Sequence, residues 1–198
     1  MIRLLVITVI VFFVLLAGCE APPEEVEEDL LAEMGRVEEP LPVDGDSGDY
    51  PSESFQAAGA DIHLAHDGNS IFVHMRAEGE GWLAVGINVQ NEGKPGSNMI
   101  LGYMDNDTPA YRNDIGVGAT GHDETEVAAV EDFFLAHEGG YVTMEFAYPM
   151  VFPEEGNYNV DELVPGEIYT MIVALHSSSN DLSEMHSAMS SFDFVVEQ

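Results

Sequence analysis

From about Phe55 onward the chain is built of short runs in which apolar residues recur at every second position, separated by Gly, Asn and Asp. Successive side chains of a strand point to opposite faces, so this period of two calls for half-buried strands rather than amphipathic helices. The run 70–76 alternates in this way, and in 141–148 Val142, Met144, Phe146 and Tyr148 share one face. Residues 62–64, 82–89 and 99–104 read as further strands, with Gly86 marking a close backbone approach. The run 168–175 is nearly all apolar and reads as a central strand, and 191–196 closes the series. Weaker runs near Tyr111, Val127 and Phe133 bring the total to about ten strands. Many short strands with turn signals between them predict an all-β protein, an antiparallel immunoglobulin-like β-sandwich over residues 55–197.

Composition narrows what such a sandwich can do. The 198 residues carry 37 Asp and Glu against 5 Lys and Arg, a formal charge of −32. Phosphate contacts need clustered basic side chains, so non-specific nucleic-acid binding is excluded. Electrostatic docking onto anionic lipid is disfavoured for the same reason. Self-repulsion on this scale is costly at low ionic strength but screened at 1 M salt, where the Debye length is about 3 Å. The acidity therefore fits a salt-rich habitat, against the plainer reading of a solvated extracellular face. A single cysteine excludes a disulfide framework and a Cys-based zinc site.

Residues 1–19 read as an address. Arg3 precedes an apolar run from Leu4 to Leu16, shorter than the roughly 20 residues that span a bilayer. Leu16-Ala17-Gly18-Cys19 resembles the lipobox of bacterial lipoproteins, which implies a signal peptide over 1–18 and a lipid on Cys19. The expected location is the cell envelope, anchored to membrane and facing outside the cytoplasm. Residues 19–50, rich in Glu, Asp, Pro and Gly, read as a lipidated Cys and an acidic flexible tether. Val26, Leu30, Leu31, Met34 and Val37 form a weak helical stripe within it.

No catalytic signature is present: there is no G-x-S-x-G, H-E-x-x-H or P-loop. The expectation is a protein that is not an enzyme. Asp105-Asn106-Asp107 hints at a calcium loop but lacks the Gly and distal Glu of an EF-hand, and reads better as a polar turn. The histidines are 63, 66, 74, 122, 137, 176 and 186, and none forms a helical H-x-x-x-H pair. His63 and His66, an odd number of positions apart in a strand, fall on opposite faces.

Taken in order, several segments resemble the DOMON family. Gly81-Trp82-Leu83-Ala84-Val85-Gly86-Ile87-Asn88 is similar to that family's "gwvalGf" strand. It is followed by a loop and the strand Gly96-Ser97-Asn98-Met99-Ile100-Leu101-Gly102-Tyr103. Then come Asp114 with Gly116, and His122 before an acidic patch. Residues 140–150 resemble the "ttvefsRpl" strand, with Tyr148 where Arg is common, and Met185-His186 precede the closing strand. The resemblance implies a β-sandwich that binds haem b or a sugar. In haem-binding members the iron is held by a loop Met and by a His or Lys before the last strand. Carried over, these positions fall on His186 and on Lys94, a departure from Met, with Met99 in reserve. His122 is a further candidate, and Trp82 and Tyr103 would help wall the ligand. Absence of C-x-x-C-H excludes covalently attached haem. The implied function is non-catalytic electron transfer to a redox partner protein. The alternatives are a carbohydrate-binding or sensing module of the same fold, and a surface domain with no small ligand.

Overall fold

The computed structural model describes residues 31–87, 96–117, 121–125, 129–152 and 162–198. Lys94 and Cys19, the run near Val127 and all of 1–30 lie outside the described residues. Twelve strands are present among those described, β1 (Ala32–Arg36), β2 (Phe55–Ala57), β3 (Ala60–His66), β4 (Ser70–Glu78), β5 (Leu83–Ile87) and β6 (Asn98–Asp105) forming the first half. The second half is β7 (Thr108–Val117), β8 (Gly121–Glu124), β9 (Asp132–Glu138), β10 (Tyr141–Pro149), β11 (Ile168–Leu175) and β12 (Ala188–Val196). The helical content among the described residues is one 3-10 turn, Ser47–Asp49.

One path of hydrogen-bonded neighbours, β8-β7-β6-β5-β11-β12-β1-β3-β4-β10-β9, curls into two layers, with β2 beside β3. The front layer runs from β8 to β12 and the back layer from β3 to β9. The layers meet through aromatic pairs, Phe55 with Phe192 at 4.4 Å between ring centroids and Tyr111 with Phe133 at 5.0 Å. Inward parity fills the space between them with Ile62, Val73, Leu83, Ile100, Phe146 and Phe194, all essentially fully buried. The expected all-β sandwich is thus the observed one, with more than the ten strands foreseen.

The main correction falls on the segment read as a tether. Residues 32–36 form β1, which pairs in parallel with both of its neighbours. Its first half lies along β12, with Met34 opposite Val196, and its second half along β3, with Arg36 opposite His66. It therefore joins the two layers, and Met34 is fully buried. Of the residues read as a helical stripe, Met34 lies in this strand and Val37 just after it, while Val26 and Leu30 lie outside the described residues. Gly35 is required at the crossover, because a Cβ would sit 2.6 Å from both Pro51 Cγ and Ser52 Oγ. Residues 37–50 then strap the outer face of the back layer. Val37, Leu41, Val43 and Tyr50 cover Ala65, Phe72 and Ala147. The buried Glu145 carboxylate anchors this strap, accepting from Asp44 N at 2.9 Å, Gly45 N at 2.7 Å and the Tyr50 hydroxyl at 2.9 Å.

Asn106 and Asp107 both adopt positive φ, 48° and 64°, between β6 and β7. That is the backbone of a two-residue type I′ hairpin, so the acidic triplet is a turn that Asn and Asp tolerate.

Candidate functional site

The outer face of the front layer is where the register leaves room. Ala84 on β5 stands opposite Leu101 on β6 and Ala174 on β11, Gly86 opposite Met99, and Ala174 opposite Met189 on β12. Small side chains run down the middle and larger ones flank them. The result is a trough floored by Ala84 and Ala174 and walled by Trp82, Met99 and Leu101, all apolar and buried.

The loop between β11 and β12 overhangs this trough. Glu80 N donates to Ser177 O, Trp82 N to Ser179 O and His176 N to Trp82 O, at 2.9, 2.9 and 3.0 Å. Asn180 ties the loop down twice, its Oδ1 accepting from Met104 N and its Nδ2 donating to Glu80 O, each at 2.9 Å. The approach is so close that Gly81 admits no side chain: a Cβ would overlap the His176 carbonyl. His176 Nδ1 accepts backbone N–H groups of Ser178 and Ser179, which places the ring proton on Nε2, 3.6 Å from Glu184.

Between sheet and loop lies a crevice of about 420 Å³, lined by Trp82, Met99, Leu101, Ala174 and Met189 from the sheet and by Leu182, Ser183, Glu184, Met185 and His186 from the loop. His122 on β8 closes one side. Volume and apolar lining fall in the ordinary range for a small-molecule site. Met185, 82% exposed, and Met189, 48% exposed, stand at its mouth. The Trp82 indole N–H is buried without a hydrogen-bond partner among the described residues.

The polar end is organised by Asp114 on β7, directly across from Met99. Its fully buried carboxylate takes two bonds from Arg112, Nε at 2.7 Å and Nη2 at 2.6 Å, and a third from His122 Nδ1. Burial alone would raise the Asp114 carboxyl, but the hydrogen bonds from His122 and Arg112 and their charge hold it below the usual carboxylate range.

Of the residues singled out from the sequence, Trp82, Met99, His122 and His186 line this one crevice. Tyr103 packs against the same apolar cluster without facing the cavity. Arg76 lies on the back layer, 3.8 Å over the Tyr141 ring. The residues missed are Asp114 as a buttress and the small floor positions Ala84 and Ala174. Alternate small residues in two strands that prove to be neighbours were the signal available. Among the described residues no group of three or more His, Cys, Asp or Glu is arranged to hold a metal ion directly. No helix among them is long and apolar enough to cross a membrane.

No family model matches the sequence, and no curated protein matches it. Solved structures do. The cytochrome b domain of pyranose dehydrogenase from Coprinopsis cinerea superposes with a TM-score of 0.55 at 11% identity, over 71% of this chain and 80% of that one. The cytochrome domain of Myriococcum thermophilum cellobiose dehydrogenase gives 0.50 at 12% identity, over 77% and 80%. A family 9 carbohydrate binding module from Caldicellulosiruptor kristjanssonii, in complex with glucose, gives 0.43 at 9% identity over 83% and 95%, too distant to weigh. The chain has the fold of these cytochrome b domains, a DOMON-like β-sandwich.

Proposed function

We propose that the protein is a lipid-anchored, extracytoplasmic, non-catalytic module that binds haem b in the crevice and exchanges electrons with a partner protein. The observation that carries this reading is the convergence of a thioether, Met99, and an imidazole, His186, on one apolar crevice. These are the residues that would hold the iron of haem b, and a thioether with an imidazole would suit a low-spin iron that passes electrons rather than binding oxygen or substrate. The small-residue floor accepts a flat apolar body, and the unpaired Trp82 N–H and the His122 ring offer polar contacts at its edge. The residues present therefore fit the group. When bound, haem b supplies a one-electron couple.

Met99 is proposed in place of Lys94 because it stands at the crevice wall and its sulfur ligates without losing a proton. A lysine must first be deprotonated from a reference pKa of roughly 10.4. Trp82, Leu101 and Leu182 give the site an apolar wall, and the loop ties through Asn180 hold the segment bearing His186 over the sheet. The carbohydrate reading finds less support. Trp82 is only 5% exposed and Tyr103 does not face the cavity, so no open aromatic platform is presented for a sugar ring. Lipidation of Cys19 would leave residues 20–30 as the spacer, since 32–50 belong to the sandwich and its strap.

Titration with haem tests the central reading. A saturable Soret band at one haem per chain is expected, abolished by His186→Ala and converted to a high-spin spectrum by Met99→Ala. A wild-type protein that takes up no haem would end the cytochrome reading. For the anchor, Cys19→Ser should move the protein from the membrane fraction to the soluble one; unchanged fractionation would remove it.

A further inference from the structure

We infer that His122 is the residue that recognises a carboxylate of the crevice ligand, held for that task by the Asp114–Arg112 pair. The inference rests on the haem reading above and names how the polar edge of the ligand is fixed. Four observations support it. His122 lines the crevice from β8, across the trough from the overhanging loop. Its Nδ1 is committed to Asp114, whose carboxylate is fully buried and also gripped by Arg112 through two bonds. Its Nε2 has no hydrogen-bond partner among the described residues, so the ring's one open nitrogen is the one left for a ligand. Arg112 stands directly opposite Leu101, a lining residue, which puts a guanidinium beside the same wall.

The buttress decides what the open nitrogen can do. A carboxylate on Nδ1 fixes the ring orientation, and the ring that carries both protons offers Nε2–H as a donor. A charge-assisted bond from that donor to a ligand carboxylate is stronger than a neutral one. Elsewhere on this acidic chain an anion meets repulsion. Of the described cations, Arg36 pairs through β1 with β12 and β3, and Arg76 sits on the back layer, both away from this wall. With Met99 and His186 as the residues that would hold the iron, His122 is left for the carboxylates of the ligand. Asp114 acts as a positioning residue, touching His122 and not the ligand.

The experiment compares uptake of haem and of haem dimethyl ester, which lacks the carboxylates, by the wild type, His122→Phe and His122→Gln. The wild type should prefer the free acid by about tenfold or more, the worth of one charge-assisted hydrogen bond. His122→Phe should lose that preference while keeping the low-spin spectrum set by the axial pair. His122→Gln, which keeps an N–H donor near the position of Nε2, should retain part of it. Circular dichroism of each variant checks the fold. Equal discrimination in wild type and His122→Phe overturns the assignment while haem binding stands. Loss of the low-spin spectrum in His122→Phe also overturns it, by making His122 an iron ligand. Failure of the wild type to bind either compound removes this inference together with the reading beneath it.

Discussion

Gly81→Ala is the smallest change that should unmake the crevice. Gly81 does not need the left-handed region of backbone space, so an alanine there carries no intrinsic conformational penalty. The penalty is one of contact. A Cβ would overlap the His176 carbonyl oxygen, with His176 C at 2.7 Å and Ser179 O at 2.8 Å, where real Cβ atoms do not come within 3.0 Å. All these neighbours are backbone, so no side chain can turn aside and the loop after β11 must lift from the turn before β5. Lifting breaks three bonds: Glu80 N to Ser177 O, Trp82 N to Ser179 O and His176 N to Trp82 O. At about 0.5–1.5 kcal/mol each, the loss is roughly 2–4 kcal/mol.

Urea denaturation gives that loss directly, and haem titration reads its consequence, because the displaced loop carries Leu182 to His186. Gly59→Ala is the control. It has nothing within 4 Å of its Cβ but a φ of +83°, so it should cost only about 1 kcal/mol and leave ligand uptake alone. If Gly81→Ala proves no more destabilising than Gly59→Ala, or binds haem as the wild type does, the loop is not held as described.

Filling the trough floor by Ala174→Phe should abolish haem uptake, read by the Soret band, while the melting temperature changes little, because Ala174 faces away from the inter-layer core. Glu145→Ala should cost about 3–5 kcal/mol in urea denaturation and free residues 37–50 to protease, since it removes the acceptor for Asp44 N, Gly45 N and the Tyr50 hydroxyl; Tyr50→Phe should cost about 1–3 kcal/mol. Burial holds His66 and His74 below their ordinary 6.5, so their contribution to stability is full above that value and is lost as pH falls through the lowered folded values. Burial pushes Glu145 above its ordinary 4.5, which has the opposite sign: its contribution is present below 4.5 and is lost as pH climbs through the raised folded value. Denaturation midpoints should therefore fall on acidification below 6.5, and less so in His74→Gln. With a charge of −32, the melting temperature should climb with NaCl into the molar range, where the Debye length shrinks to about 3 Å; a flat curve would dismiss the high-salt reading.

Where a strand has one buried face or two, the sequence shows it. In β10, Val142, Met144, Phe146 and Tyr148 face the core, and that parity was written in the run itself. β11 lies between β5 and β12 with apolar cover on both sides, which explains its nearly continuous apolar run. β1 carries no such record. Ala-Glu-Met-Gly-Arg is five residues amid acids and becomes a strand only because β12 and β3, distant in sequence, offer open edges to it. β8, Gly-His-Asp-Glu, has no apolar residue and is defined by pairing with β7 alone. The strap failed for a related reason: its few apolar residues are too sparse to signal burial, and its anchor, Glu145, lies in another strand. At the site, Trp82, Met99 and His186 were each visible, but their meeting depends on β5 lying between β6 and β11, which no local pattern states. Asp114 stood in the sequence only as one step of a family resemblance, and its role behind His122 emerged when β7 and β8 paired.

The two outer faces of the sandwich are finished differently. An outward face ordinarily carries polar side chains, or is covered. On the back layer Ala65, Phe72 and Ala147 face outward, and the chain spends residues 37–50 to cover them, with Glu145 satisfied in the process. On the front layer Ala84, Met99, Leu101 and Ala174 also face outward, yet the overhanging loop leaves about 420 Å³ beneath it rather than packing down. Larger side chains at positions 84 and 174 would close that space at little conformational cost, and folding alone gives no reason to leave it open. Local rules are broken where function requires it. An apolar trough with Met99, two imidazoles and an indole N–H unpaired among the described residues around it is therefore the part of the molecule that folding does not explain, and it is where the proposed ligand would sit.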